Sequence, residues 1–173
     1  MASIGKRLWY LKKAIEIGTV TKRYPFEPTE PPEGSRGKPV IDFTKCIGCG
    51  ACANVCTPQA LRFIDLKEYK RLELFYGRCI FCGMCQEACP VDAIQLTKDF
   101  ELATDDLNDL YVVIELKSVR CEICNKYFTT KRIILKINDE VRDVIEEIEY
   151  TKLCPECRRK ESSTKLVGWR ALG

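Results

Sequence analysis

Histidine is absent from all 173 residues. That excludes Rieske-type ligation, every zinc site built on imidazole and acid–base mechanisms that depend on histidine. Soft-metal ligation must then fall on cysteine. The chain also has no apolar run approaching the roughly 20 residues a transmembrane helix needs. No nucleotide-binding loop or substrate-pocket motif is recognisable, so chemistry on a diffusible small molecule is not expected here. A signal peptide is likewise missing, which argues for an intracellular chain and against a disulfide framework.

Cysteine is what the chain does hold, twelve in all. Eight fall into two successive copies of one pattern: Cys46-Ile47-Gly48-Cys49-Gly50-Ala51-Cys52 with Cys56, and Cys79-Ile80-Phe81-Cys82-Gly83-Met84-Cys85 with Cys89-Pro90. Each is C-x2-C-x2-C-x3-C, the run that holds [4Fe-4S] clusters in bacterial ferredoxins. A cubane needs four thiolates converging on its iron corners, and the short intervals wrap a loop around three of them, with Gly50 and Gly83 keeping the loops unhindered. In two-cluster ferredoxins the fourth cysteine serves the other cluster. The expected sets are therefore Cys46, Cys49, Cys52 and Cys89 for one cluster, and Cys79, Cys82, Cys85 and Cys56 for the other. The repeat continues as Ala60 matching Ala93 and Leu61 matching Ile94, which implies two related half-domains. In one departure Cys56 is followed by Thr57 before Pro58, whereas Cys89 meets Pro90 directly, so the first turn should leave its cluster differently. Zinc knuckles seldom need four cysteines in so short a run, so paired zinc sites explain the pattern less well.

The formal charge of +3 counts those cysteines as neutral thiols. Two cubanes and a divalent ion on thiolates bring the loaded chain to about −3, which removes the global case for a nucleic-acid-binding protein. Residues 1–38 remain basic, with eight basic and four acidic side chains. There Ile4, Leu8, Leu11 and Ile15 recur at helical spacing beside Lys6, Arg7, Lys12 and Lys13, predicting a basic amphipathic helix over 3–17 that ends near Gly18. Such a helix either caps the chain's own core or lies against a membrane or membrane subunit. Pro25, Pro28, Pro31, Pro32 and Pro39, with Gly34 and Gly37, then predict an extended arm. Strands are expected over 40–43, 60–65, 72–76 and 93–96, followed by an exposed acidic linker marked by Glu101, Asp105, Asp106 and Asp109.

A further strand over 111–116 leads to Cys121-Glu122-Ile123-Cys124, and well beyond it comes a second pair, Cys154-Pro155-Glu156-Cys157. Two C-x2-C knuckles supply four thiolates to one tetrahedral ion, as in zinc ribbons and rubredoxins. Both metals accept four sulfurs; zinc is preferred because four-cysteine structural sites are most often zinc. Between the pairs stand Ile133, Ile134, Leu135 and Ile137, then Val141, Val144, Ile145 and Ile148 at helical spacing, an apolar face expected to pack on the ribbon. Arg158, Arg159, Lys160 and Lys165 read as a solvated face rather than a nucleic-acid site. The fold expected is α+β: an N-terminal helix and arm over 1–38, a dicluster ferredoxin domain over 39–100, an acidic linker and strand over 101–116, and a zinc-ribbon or rubredoxin-like domain over 117–173.

The stretch Gly77-Arg78-Cys79-Ile80-Phe81-Cys82-Gly83, continuing through Cys89-Pro90 and Ala93-Ile94 to Phe100-Glu101-Leu102, resembles the two-cluster subunit shared by respiratory complex I and the membrane-bound nickel-iron hydrogenases. Tyr24-Pro25, Arg36-Gly37-Lys38-Pro39 and the C-terminal cysteine pairs narrow the resemblance to the formate hydrogenlyase type, since complex I members generally lack those pairs. The resemblance implies a subunit with no catalytic residue of its own, whose two clusters relay electrons from an input module that oxidises formate, carbon monoxide or ferredoxin to the hydrogenase small subunit, beside the large one. It further implies a peripheral place on the cytoplasmic face of the membrane, with the N-terminal helix at a membrane-arm subunit. The other readings are a subunit of a complex I-like, quinone-linked dehydrogenase and a free ferredoxin-type carrier, for which residues 39–100 would suffice. All-thiolate ligation within an apolar surround of Ile47, Ile80 and Phe81 should keep potentials low in the range of about −700 to +450 mV that such clusters span.

Overall fold

The computed structural model describes residues 4–141 and 151–170, and the chain divides into two compact units, Met1–Ser35 and Arg36–Gly173. In the first unit the apolar spacing is realised as helix α1 (Ile4–Ile17). It ends where Gly18 takes a positive φ and donates its N–H to the Ala14 carbonyl at 3.0 Å, a common way to close a helix. Leu8, Trp9, Tyr10, Leu11 and Ile15 are all more than half exposed. The proline-rich arm holds no strand or helix beyond turns.

The second unit carries, in order, β1 (Pro39–Ile41), α2 (Ala51–Asn54), β2 (Leu61–Asp65), β3 (Tyr69–Phe75), α3 (Met84–Glu87), β4 (Ile94–Leu96), β5 (Tyr111–Arg120), β6 (Tyr127–Thr130), α4 (Lys131–Val141) and α5 (Pro155–Arg170). Its strands form two antiparallel sheets, β1 with β4 and a four-stranded sheet in the order β2-β3-β5-β6. The second strand of the hairpin was expected over 72–76 but begins at Tyr69. The cause is a tight turn in which Lys67 adopts φ 64° and its N–H donates to Asp65 Oδ1 at 3.0 Å. Tyr76 instead starts a single 3₁₀ turn, Tyr76–Arg78. Strand β5 runs to Arg120, past the expected end at 116, because after pairing with all of β3, from Phe75 opposite Tyr111 to Tyr69 opposite Lys117, it goes on to pair with β6, from Ser118 opposite Thr130 to Arg120 opposite Tyr127.

Alternation divides the larger sheet into two faces. Leu61, Leu72, Leu74, Ile114 and Leu116 are buried on one face, while on the other Arg71 donates through Nε and Nη2 to Glu115 Oε1 at 2.9 and 2.6 Å. The apolar face joins Ile41, Ala60, Ala93, Ile94, Cys46 and Cys52 in one core, and a smaller cluster gathers Cys121, Leu153, Cys154 and Cys157. In the acidic stretch Asp106 caps a 3₁₀ turn, Leu107–Leu110, accepting the N–H of Asn108 at 2.9 Å. Helix α4 takes in Ile133, Ile134, Leu135 and Ile137, its first turn capped by Thr130 Oγ1, which accepts from the Ile133 N–H at 3.3 Å. Val144, Ile145 and Ile148, and the side chain of Lys165, lie outside the described residues.

Candidate metal centres

The repeated run folds twice into the same device. Gly50 and Gly83 take left-handed backbone and start the one-turn helices α2 and α3, which carry Cys52 and Cys85. Cys56 and Cys89 lie just beyond those helices rather than on them, because each helix lasts only four residues. Each then turns to the other loop. Cys46, Cys49, Cys52 and Cys89 line one cavity together with Leu72, Val91, Ala93 and Ile94. Cys56, Cys79, Cys82 and Cys85 line a second one with Pro39, Leu61, Leu74 and Phe81. Strand β3 backs both cavities, since Leu72 and Leu74 alternate onto one face of it.

The lining is almost wholly apolar, and burial acts on the thiols accordingly. It pushes Cys52 up to about 12 and Cys85 up to about 11, and raises Cys46 and Cys79 as well. A buried thiol therefore stays neutral unless a cation is present to hold the thiolate. Some polarity is already aimed at sulfur: the Leu61 N–H donates to Cys56 Sγ at 3.3 Å and the Ala93 N–H to Cys89 Sγ at 3.2 Å. The donor stands one position further from Cys56 than its counterpart does from Cys89, so the two turns leave their cysteines differently. Four thiols around a dry cavity, with backbone N–H groups aimed at sulfur, fit an iron-sulfur cluster.

At the C-terminal end Cys121 and Cys124 flank the turn between β5 and β6, while Cys154 and Cys157 sit at the start of α5. All four sulfurs lie within 4.8 Å of one another, and among the described residues no other group of cysteines or acids converges so closely. Cys124 Sγ and Cys154 Sγ are 3.7 Å apart, near the ~3.8 Å edge of a tetrahedron with metal–sulfur bonds of about 2.3 Å. The backbone N–H groups of Cys124 and Cys154 pull Cys121 down to about 6, whereas the Cys154 thiol beside Cys157 pushes that group up. The spacing of the quartet fits one ion.

Contacts from three side chains carry no signature in the sequence. Arg132 Nη1, on α4, donates to the carbonyls of Phe43 at 2.5 Å and Cys46 at 2.8 Å. Thr130 Oγ1 donates to the Ile47 carbonyl at 2.5 Å, and Arg36 Nη1 to the Cys82 carbonyl at 2.8 Å. Of the expected apolar surround, Ile47 lines the first cavity and both Ile80 and Phe81 line the second, Ile80 remaining 64% exposed.

Residues 39–96 match the 4Fe-4S dicluster domain family. Formate hydrogenlyase subunit 6 of Escherichia coli (strain K12) is 38% identical over 160 residues, covering 88% of this chain and 88% of that protein. The chain belongs to the formate hydrogenlyase subunit 6 family. The chain is also similar to NAD(P)H-quinone oxidoreductase subunit I proteins. The Synechococcus sp. (strain JA-2-3B'a(2-13)) protein of that name is 48% identical over 99 residues, 53% of this chain and 47% of its own length. The chain thus spans about half the length of those quinone-linked relatives. Among solved structures, one of the membrane-bound sulfane sulfur reductase, an archaeal respiratory membrane complex, includes a chain that aligns over 86% of this one and 79% of its own length, with 22% identity and a TM-score of 0.44.

Proposed function

We propose that the chain is the electron-conducting subunit of a membrane-associated redox complex, with one [4Fe-4S] cluster on Cys46, Cys49, Cys52 and Cys89 and the other on Cys79, Cys82, Cys85 and Cys56. The observation that carries this reading is the exchange of fourth cysteines between two apolar cavities backed by one strand. When bound, such clusters supply one-electron exchange without making or breaking substrate bonds. The chain's own residues hold eight thiolates, keep water out with Leu61, Leu72, Leu74 and Ile94, and aim backbone N–H groups at sulfur.

Likeness to a formate hydrogenlyase subunit along 88% of the chain supports a place between an input module, oxidising formate, carbon monoxide or ferredoxin, and the small subunit of a nickel-iron hydrogenase. Among the described residues no helix is long and apolar enough to cross a membrane. The exposed apolar stripe of α1 supports docking on a membrane-arm subunit, at the cytoplasmic face. The C-terminal quartet is read as a structural zinc site closing a module over 117–173, beside the dicluster module over 39–100; its near-tetrahedral sulfur spacing supports this. A quinone-linked role is the second reading, favoured by the higher identity over the 99 residues shared with subunit I.

Anaerobic purification from native membranes tests the proposal. About eight irons and eight labile sulfides per chain, with one zinc and hydrogenase subunits co-purifying, are expected. Cys56→Ala should disturb the cluster of Cys79, Cys82 and Cys85 more than that of its sequence neighbours in cluster-resolved EPR. About four irons per chain, or the reverse EPR pattern, overturns the ligand sets.

A further inference from the structure

Two arginines outside the matched segment 39–96 each reach the backbone of a different cysteine loop. Arg132 reaches the first loop at the carbonyls of Phe43 and Cys46, and Arg36 reaches the second at the carbonyl of Cys82. We infer that these guanidiniums are separate electrostatic handles on the two clusters: Arg132 raises the reduction potential of the one held by the Cys46 set, and Arg36 that of the one held by the Cys82 set. The inference rests on the ligand sets proposed above.

Arginine stays protonated at any working pH. Bonded to the carbonyl of a ligating cysteine, it holds a full positive charge within a few bonds of that cysteine's sulfur. One-electron reduction adds one negative charge to the cluster, so a fixed cation nearby favours the reduced form. Arg132 is held in this position. Its helix follows directly on Thr130, which is 1% exposed, donates to the Ile47 carbonyl and caps α4. Asp139 and Glu140 line the same open cleft, with Glu140 paired to Lys136 at 3.3 Å, and both soften the effect. Neither arginine is buried, so solvent screening keeps the expected shifts modest. Both are positioning residues, acting through the loop they hold.

The test is a redox titration of the full chain, followed by EPR that resolves the two clusters. Arg132→Met should make reduction of the Cys46-set cluster up to about tenfold less favourable, ~59 mV for a one-electron couple, and leave the other cluster in place. Arg132→Lys keeps the charge and should restore most of the shift. Arg36→Met should give the mirror result, and it carries the test if Arg132→Met fails to hold both clusters. Two cubanes whose potentials ignore both arginines, shift together, or fall as far with lysine as with methionine overturn the inference. An unmutated chain without two cubane signals overturns the ligand sets instead.

Discussion

The two cysteine loops are close copies in sequence, yet different things lie over them. Position 48 of the first loop is glycine and its counterpart in the second is Phe81. Both hold left-handed backbone, with φ 72° and 53°. A Cβ on Gly48 would stand 2.4 Å from Leu116 Cδ1 and 2.9 Å from Thr130 Cγ2, because β5 and β6 cover that loop. Phe81 meets no such cover and lines its own cavity, while its neighbours Ile80 and Met84 remain exposed. Left-handed backbone costs a residue with a side chain about 1–2 kcal/mol. The second loop carries that cost and gains an aromatic wall. In the first the same space is filled by the C-terminal extension, so the repeat makes the loops alike and the extension makes them unequal.

Making the first loop a copy of the second should have the largest effect. Gly48→Phe forces a ring into space held by Leu116 and Thr130 and adds backbone strain, a loss of about 3–5 kcal/mol. Phe81→Gly relieves strain while stripping a wall, so its net effect should be smaller. Denaturant-induced loss of cluster absorbance in the two variants measures both. Equal destabilisation would mean that the cover over the first loop is not what distinguishes them.

Breaking the C-terminal cysteine quartet is the intermediate case. Thr130 and Arg132, which hold the first loop, lie between the two cysteine pairs that meet in the quartet. Cys121→Ser should therefore raise amide exchange at residues 43–48 by roughly tenfold, ~1.4 kcal/mol, with residues 79–83 unchanged and both cubanes retained. Exchange rising equally in both loops would show that the quartet supports the whole unit rather than one side of it.

The gathering of the eight ferredoxin-type cysteines into two sets and of the last four into one could be read from the sequence, because their spacing brings them together. Strands were legible where alternation was clean, as at Leu72 and Leu74, and less so at their ends. The early start at Tyr69 depends on Lys67 adopting positive φ, which its residue type does not announce. The length of β5 was hidden for another reason: its partner β3 lies far back in the chain, before the second cysteine run, and its last residues, 118–120, are held by β6 on the far side of the Cys121–Cys124 turn. The bonds from Arg36, Thr130 and Arg132 were invisible because each joins parts of the chain that are distant in sequence. No local pattern encodes them.

The smallest effect should come from the turn that leads into the first loop. Asp42 Oδ1 accepts from the Thr44 N–H at 2.8 Å, the Thr44 hydroxyl at 2.6 Å and the Lys45 N–H at 3.3 Å, an Asx-type turn. The counterpart position is Phe75, the end of β3, and the second loop is reached through the 3₁₀ turn instead. The Thr44 hydroxyl and N–H hold the Asp42 carboxyl below its usual range. A carboxyl whose folded value is depressed stabilises the fold above its unfolded value, about 3.9. That contribution is lost as pH falls through the lower folded value. Amide protection at Thr44 and Lys45 should hold at neutral pH and weaken in acid in the unmutated chain, whereas Asp42→Ala should lose it at every pH. The amides following Phe75 should show neither change, because no carboxylate holds that turn. Acid weakening in the second loop too would mean that both loops loosen together, and that the Asx turn adds nothing to the difference between them.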